Sequence, residues 1–247
     1  MKICRFIKNN EIQIGIVEAD KILVCDAELQ KTNEYYSFNE IELLPPVAPS
    51  KIVCVGRNYA EHAKEMGADI PSEPLLFLKA PSALISSGDA IVLPSQSDQV
   101  EHEGELAVVI GRKCKNIADS EDPLMYVLGY ACLNDVTARD IQRRDVQFTR
   151  GKSFDTFCPI GQFIETSLDI SDVRVTVTVN GIVKQDGRTS QMVFPVDYLI
   201  RYISKQMTLN AGDVIATGTP SGVSKLEKGD VCEVSIEGIG TLSNPVS

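Results

Sequence analysis

The sequence predicts an α+β fold rich in strands, and three observations carry that prediction. Short apolar or alternating runs outnumber helical ones along the 247 residues. Hairpin turn signals recur, the clearest being Asn180-Gly181. Strands and helices also fail to alternate as the βαβ units of a doubly wound sheet require.

Taken in order, residues 1 to about 44 hold the β-like pieces KICRFI, IQIGIVEA and KILVCDA, separated by turn formers. LLPPVAPS then places three prolines within eight residues. Pro-Pro suppresses helix on both sides, so a boundary is expected near residue 48, between a small N-terminal β domain (1–48) and a main domain (49–247). The leading segment is too small for much core of its own and is expected to pack on the second. KIVCV reads as a strand ending at Gly56. NYAEHAKEMG reads as a brief helix with Asn58 as N-cap and Gly67 as its stop.

LLFLK and AIVLP read as strands, and Asp122-Pro123 opens a helix. GYACLND is a buried strand followed by a short helix in TARDIQRRD. In VRVTVTVNGIVKQDG, Val173, Val175, Val177 and Val179 alternate with polar residues, and Asn-Gly supplies the primed turn that suits twisted strands. PVDYLIRYISKQM is the best helix, with Tyr198, Leu199, Tyr202, Ile203 and Met207 assigned to one face. DVIATG and DVCEVSIEG close the chain as strands.

Composition excludes several classes. Lys and Arg number 24 against 34 Asp and Glu, a formal net charge of −10. No basic cluster offers a face to nucleic acid or to an anionic membrane. The 7 cysteines are widely spaced without a C-x-x-C, which argues against a disulfide framework or a zinc site. The opening MKICRFIKNNEIQIG lacks the apolar stretch of a signal peptide, and no run approaches the roughly 18 apolar residues of a membrane span. A cytoplasmic location is expected.

EHEGELAVVIG is the most informative segment. On a strand, Glu103 and Glu105 share a face, roughly 7 Å apart along the backbone. Two like charges at the start of a buried strand repel and are penalised by desolvation. A hard divalent cation would relieve both; the alternative is a solvated strand start. Asp135 ends the apolar strand GYACLND and could supply a third oxygen ligand, or cap the following helix. His62 and Glu65 lie three apart on one helix face, where the carboxylate could fix the imidazole tautomer, or both could face water. Lys152 could pair with a substrate carboxylate or reach the surface. The Gly/Thr/Ser loop of GDVIATGTPSG could present N–H groups to an anion, or be a surface turn.

In that order, VGRNYAEHAKEMG, EPLLFLK, EHEGELAVVIG, GYACLNDVTARDIQ, RGKSFDTFCPIG, VNGIVKQDGRTSQMVF and GDVIATGTPSGV resemble the fumarylacetoacetate hydrolase family, from about Lys51 to Ser243. The members most like this chain are its acylpyruvate hydrolases and 2-hydroxyhepta-2,4-diene-1,7-dioate isomerases. The resemblance implies a mixed β-sandwich roll, a homodimer, and Mg²⁺ or Mn²⁺ held by Glu103, Glu105 and Asp135. It makes His62 and Glu65 a water-activating pair on a mobile lid and Lys152 an active-site lysine. Gln142 and Thr219 match substrate-contacting positions, and Arg57 and Arg139 are further candidates. The implied reaction is hydrolysis of a carbon–carbon bond in an acylpyruvate-type 2-oxo acid, through a metal-stabilised enolate. The alternatives are isomerisation, tautomerisation or decarboxylation of oxaloacetate or a 2-hydroxymuconate-type diacid. From a different class, the chain could be a catalytically idle binding protein.

Overall fold

The computed structural model describes residues 1–26 and 29–247; Ala27, the last residue of the KILVCDA run, lies outside them. The architecture is strand-rich and mixed, as expected for this fold class. An 11-stranded sheet runs in the order Lys31–Ser37, Lys21–Cys25, Glu11–Glu18, Lys2–Lys8, Phe163–Glu165, Val127–Asn134, Gly104–Ile110, Val214–Ala216, Ile52–Gly56, Leu75–Lys79. Glu42–Leu44 joins it on Lys2–Lys8. The N-terminal strands therefore continue the main sheet through the pairing of Lys2–Lys8 with Phe163–Glu165. They also keep a small apolar cluster of their own around Cys4, Phe6, Ile22 and Val24.

A second, four-stranded sheet runs Ile182–Arg188, Arg174–Val179, Val231–Ile236, Gly240–Pro245. The alternation read from the sequence holds here: Val173, Val175, Val177 and Val179 are all buried. Asn180 and Gly181 take φ of 52° and 76°, the left-handed pair a primed turn needs. The buried face of this sheet meets Leu106, Val108 and Cys132 of the large sheet in one apolar core. No helix among the described residues is long and apolar enough to cross a membrane.

Several local expectations are corrected. AIVLP forms no strand; only Ile91 bridges, to Val246. The Asp122-Pro123 start opens a single 3-10 turn, Pro123–Tyr126, with Asp122 accepting from Leu124 N at 2.9 Å. Asn58 does not cap the short helix Ala60–Glu65; Tyr59 holds that position. The Asn58 side chain instead reaches Phe194 and Thr217. In the helix Val196–Gln206 the buried stripe is Val196, Leu199, Ile200, Ile203 and Ser204. Tyr198 lies outside it and stacks on Phe194 and Tyr202. Ring stacking on the outer face replaced burial for the tyrosines, whose hydroxyls are costly to bury unpaired. The last strand, Gly240–Pro245, was not foreseen because its Gly, Thr, Ser and Asn read as loop.

Candidate active site

Strand direction assembles the site. Gly104–Ile110 is antiparallel to both Val127–Asn134 and Val214–Ala216, and the latter is parallel to Ile52–Gly56. The start of the first strand and the ends of the other three therefore meet at one edge of the sheet. There Asp135 N donates to Glu103 O at 2.8 Å and Glu103 N donates to Asn134 Oδ1 at 2.9 Å. These bonds set Asp135 beside Glu103. Gly104, pointing the other way, lies so close to Val177 that a Cβ would come within 2.2 Å of its Cγ2.

Glu103, Glu105 and Asp135 are buried, and one oxygen from each lies within 4.8 Å of the others. Their charges are not equally balanced. Glu103 accepts from Lys152 Nζ at 2.8 Å and from Arg139 Nη2 at 2.5 Å. Burial pushes its carboxyl up, but those two cations outweigh it and hold the group below the usual carboxylate range. Asp135 accepts from Lys79 Nζ at 2.6 Å and Lys152 Nζ at 2.7 Å. Glu105 accepts one backbone N–H, from Gly218 at 2.7 Å, and forms no ion pair among the described residues. Burial first, then the neighbouring Asp135 and Glu103, push its carboxyl well above the usual range.

A buried carboxylate without a counter-ion, next to two more oxygen donors, suits a hard divalent cation. The buried Tyr59 hydroxyl adds to the fit. It has no hydrogen-bond partner among the described residues, and burial followed by the Glu105 charge pushes its ionisation up.

Above these acids, His62 is 5% exposed and its Nδ1 lies 3.0 Å from Glu65 Oε2. The same carboxylate accepts from Gly222 N at 2.9 Å through Oε1. An imidazole with Nδ1 engaged by a carboxylate keeps Nε2 free to accept a proton. A cavity of about 370 Å³ includes His62, Glu65, Glu103, Glu105, Arg139, Gln142, Lys152, Thr219 and Arg57 in its lining. Nine of the ten residues singled out from the sequence thus share one cavity, and the tenth, Asp135, sits beneath it against Lys152.

The alternatives left open by the sequence fall as follows. Asp135 caps no helix, since the next one, Arg139–Arg144, begins four residues later with Ala138 at its cap. Lys152 is 1% exposed and paired, so it does not reach the surface. Arg139, also 1% exposed, is built into the acids: its Nε donates to Glu101 Oε2 at 2.7 Å and its Nη1 to Gln142 Oε1 at 2.6 Å. The Thr219 hydroxyl donates to Gly104 O at 2.9 Å and accepts from Gln185 Nε2 at 2.7 Å, so its proton already has a partner.

Lys79 was missed. It is 1% exposed and also donates to Val136 O at 3.1 Å. Its signal was present: a lone cation closing the apolar run LLFLK has to find a buried anion.

Acid–base groups converging on a buried cavity define an enzyme site. The chain belongs to the fumarylacetoacetate hydrolase family: the family described as Fumarylacetoacetate (FAA) hydrolase C-terminal matches residues 51–247. A second family, Rv2993c-like, N-terminal, matches residues 1–46. Oxaloacetate tautomerase YisK of Bacillus subtilis is 43% identical over 255 residues, covering 94% of this chain and 84% of the relative. The crystal structure of 5-carboxymethyl-2-hydroxymuconate delta-isomerase from Mycobacterium smegmatis superposes with a TM-score of 0.91 at 43% identity, over 100% of this chain and 98% of that one. Fumarylpyruvate hydrolase from Pseudomonas aeruginosa, in complex with Mn²⁺ and pyruvate, superposes with a TM-score of 0.76 at 30% identity, over 87% and 92% of the two chains.

Proposed function

We propose that this protein is a divalent-metal-dependent tautomerase of small 2-oxo acids of the oxaloacetate type. The observation that carries the reading is the unpaired, buried Glu105 beside Glu103 and Asp135, facing the same cavity as the His62–Glu65 pair. Glu103, Glu105 and Asp135 would hold the cation, Mg²⁺ or Mn²⁺, whose oxygen preference suits three carboxylates. A cation bound there supplies Lewis acidity toward the carboxylate and 2-oxo oxygens of the substrate.

The chain's own residues do the proton work. Glu65 holds Nδ1 of His62, so Nε2 can exchange a proton with carbon 3 of the substrate, the step that interconverts keto and enol forms. Lys152, fixed between Glu103 and Asp135, sets a positive charge beside the acids and favours anionic substrates. Gln142 lines the cavity and is oriented by Arg139. The short helix carrying His62 would act as a lid. Tautomerisation is preferred because the two relatives of 43% identity bear tautomerase and isomerase names, whereas two solved neighbours named as hydrolases stand lower, at 38% and 30%.

Hydrolysis of an acylpyruvate, which the sequence placed first, is the second reading. The same His62 base supports it, since such a pair can take a proton from water as well as from carbon. We further propose a homodimer, to be checked by light scattering.

The deciding experiment is a substrate panel with Mg²⁺ and with Mn²⁺: enol and keto oxaloacetate, acetylpyruvate, fumarylpyruvate and a hydroxymuconate diacid. Tautomerisation of enol-oxaloacetate, lost in excess EDTA, is the expected result. Release of pyruvate from acylpyruvates without tautomerase activity would move the assignment to hydrolysis. His62→Ala is expected to lower kcat by roughly 10²–10⁴-fold while Mn²⁺ affinity stays within about threefold.

A further inference from the structure

The charges of the cavity are unevenly matched between its floor and its mouth. On the floor, Arg139 and Lys152 are committed to Glu101, Glu103 and Asp135. Asp145, at the rim, is committed to Arg150 through contacts of 2.5 and 2.7 Å. Two guanidinium groups remain. Arg57 forms no hydrogen bond or ion pair among the described residues, although it lines the cavity. Arg143 lines it as well and, among the described residues, donates only to a neutral group, Gln99 Oε1, at 3.2 Å.

Their positions are set by the backbone. Arg57 has φ 56°, a left-handed conformation that a side-chain-bearing residue seldom adopts. The neighbouring Asn58 holds it there by bonding Phe194 on both backbone groups and Thr217 O at 2.7 Å. Strain of this kind collects where a side chain must be aimed at a ligand. Arg143 follows Arg139 by one turn on the helix Arg139–Arg144, so both lie on one face, roughly 5–6 Å apart. Arg139 is buried in the acid cluster and Arg143 is exposed, so the turn between them leads from the floor to the mouth.

A 2-oxo acid carries its reacting carboxylate and oxo group at one end. With that end at the floor acids, a ligand with a second carboxylate would present it to the two uncommitted guanidinium groups. We propose that Arg57 and Arg143 bind the distal carboxylate of a dicarboxylic 2-oxo acid and so set the preference for diacids over monoacids. The inference rests on reading the site as one for 2-oxo acids.

Its test is calorimetric and independent of turnover. Binding in Mn²⁺ buffer is compared for oxaloacetate and 2-oxoglutarate against the monoacids of equal length, 2-oxobutanoate and 2-oxopentanoate. In each pair a carboxylate is replaced by a methyl group. The diacids are expected to bind at least tenfold tighter, and the preference is expected to fall below about threefold in Arg57→Gly combined with Arg143→Ala. Glycine suits φ 56°, so the first change removes the guanidinium without adding strain. Arg143→Gln is the reserve variant should the alanine fail to fold. Equal affinity for both members of each pair, an unchanged preference in the variants, or no binding of any of the four acids overturns the proposal. A diacid preference without catalysis would instead leave the subsite standing and remove the tautomerase reading.

Discussion

Glu103 and Glu105 are two residues apart, share a face and are both buried, and still have opposite electrostatics. Glu103 pairs with two cations and ionises readily; Glu105 pairs with none among the described residues, and the pull of Lys152 does not offset burial and the neighbouring acids, so it resists ionisation. Their amide variants should therefore differ in sign. Glu103→Gln breaks buried pairs and is expected to cost about 3 kcal/mol, the lower end for such a loss, because Arg139 keeps Glu101 and Lys152 keeps Asp135. Glu105→Gln removes a desolvated carboxyl with no counter-ion. In EDTA its Tm is expected to equal or exceed that of the parent, while the rise in Tm on adding Mn²⁺ disappears. Thermal melts with and without the ion check both, and a large loss in EDTA for Glu105→Gln would show that some cation of the chain already balances it.

At the scale of elements, the glutamate strand is clamped between a sheet on one face and the cavity on the other. Gly104 makes that spacing possible, since a methyl there would overlap Val177 and press on Val234. Gly104→Ala is expected to lower stability by about 1–3 kcal/mol, as overpacking does, and to weaken Mn²⁺ binding because both flanking carboxylates ride on the displaced backbone. Denaturant melts and metal titration on the same variant test this. A stability loss with unchanged metal affinity would mean that the strand bends without carrying its glutamates.

Across the whole molecule, burial governs the cysteines. All seven are buried free thiols. Burial pushes Cys4, Cys132, Cys158 and Cys232 up to about 12, far from the thiolate form that reacts near neutral pH. A disulfide-exchange reagent at pH 7.5 is expected to label fewer than one thiol per native chain and all seven after denaturation. Rapid labelling of the native protein would indicate opening of the core that joins the two sheets. Asp213 is a second joint: it binds Ser50, Lys51 and Asn210 and so fixes the start of the Ile52–Gly56 strand.

The sequence by itself determined what is local. Alternation and turn chemistry marked the hairpin of Arg174–Val179 and Ile182–Arg188, and the two-residue spacing put Glu103 and Glu105 on one face. The i,i+3 spacing joined His62 to Glu65. Periodicity misplaced Tyr198, because a pattern of ring positions does not distinguish burial from stacking on the surface. What required the tertiary structure is everything that depends on partners far along the chain. Lys79 reaches Asp135 across 56 residues and Gly218 reaches Glu105 across 113, and both determine which acid is balanced and which is not. Sheet register makes those meetings, and register arises from the packing of many strands together rather than from any one of them.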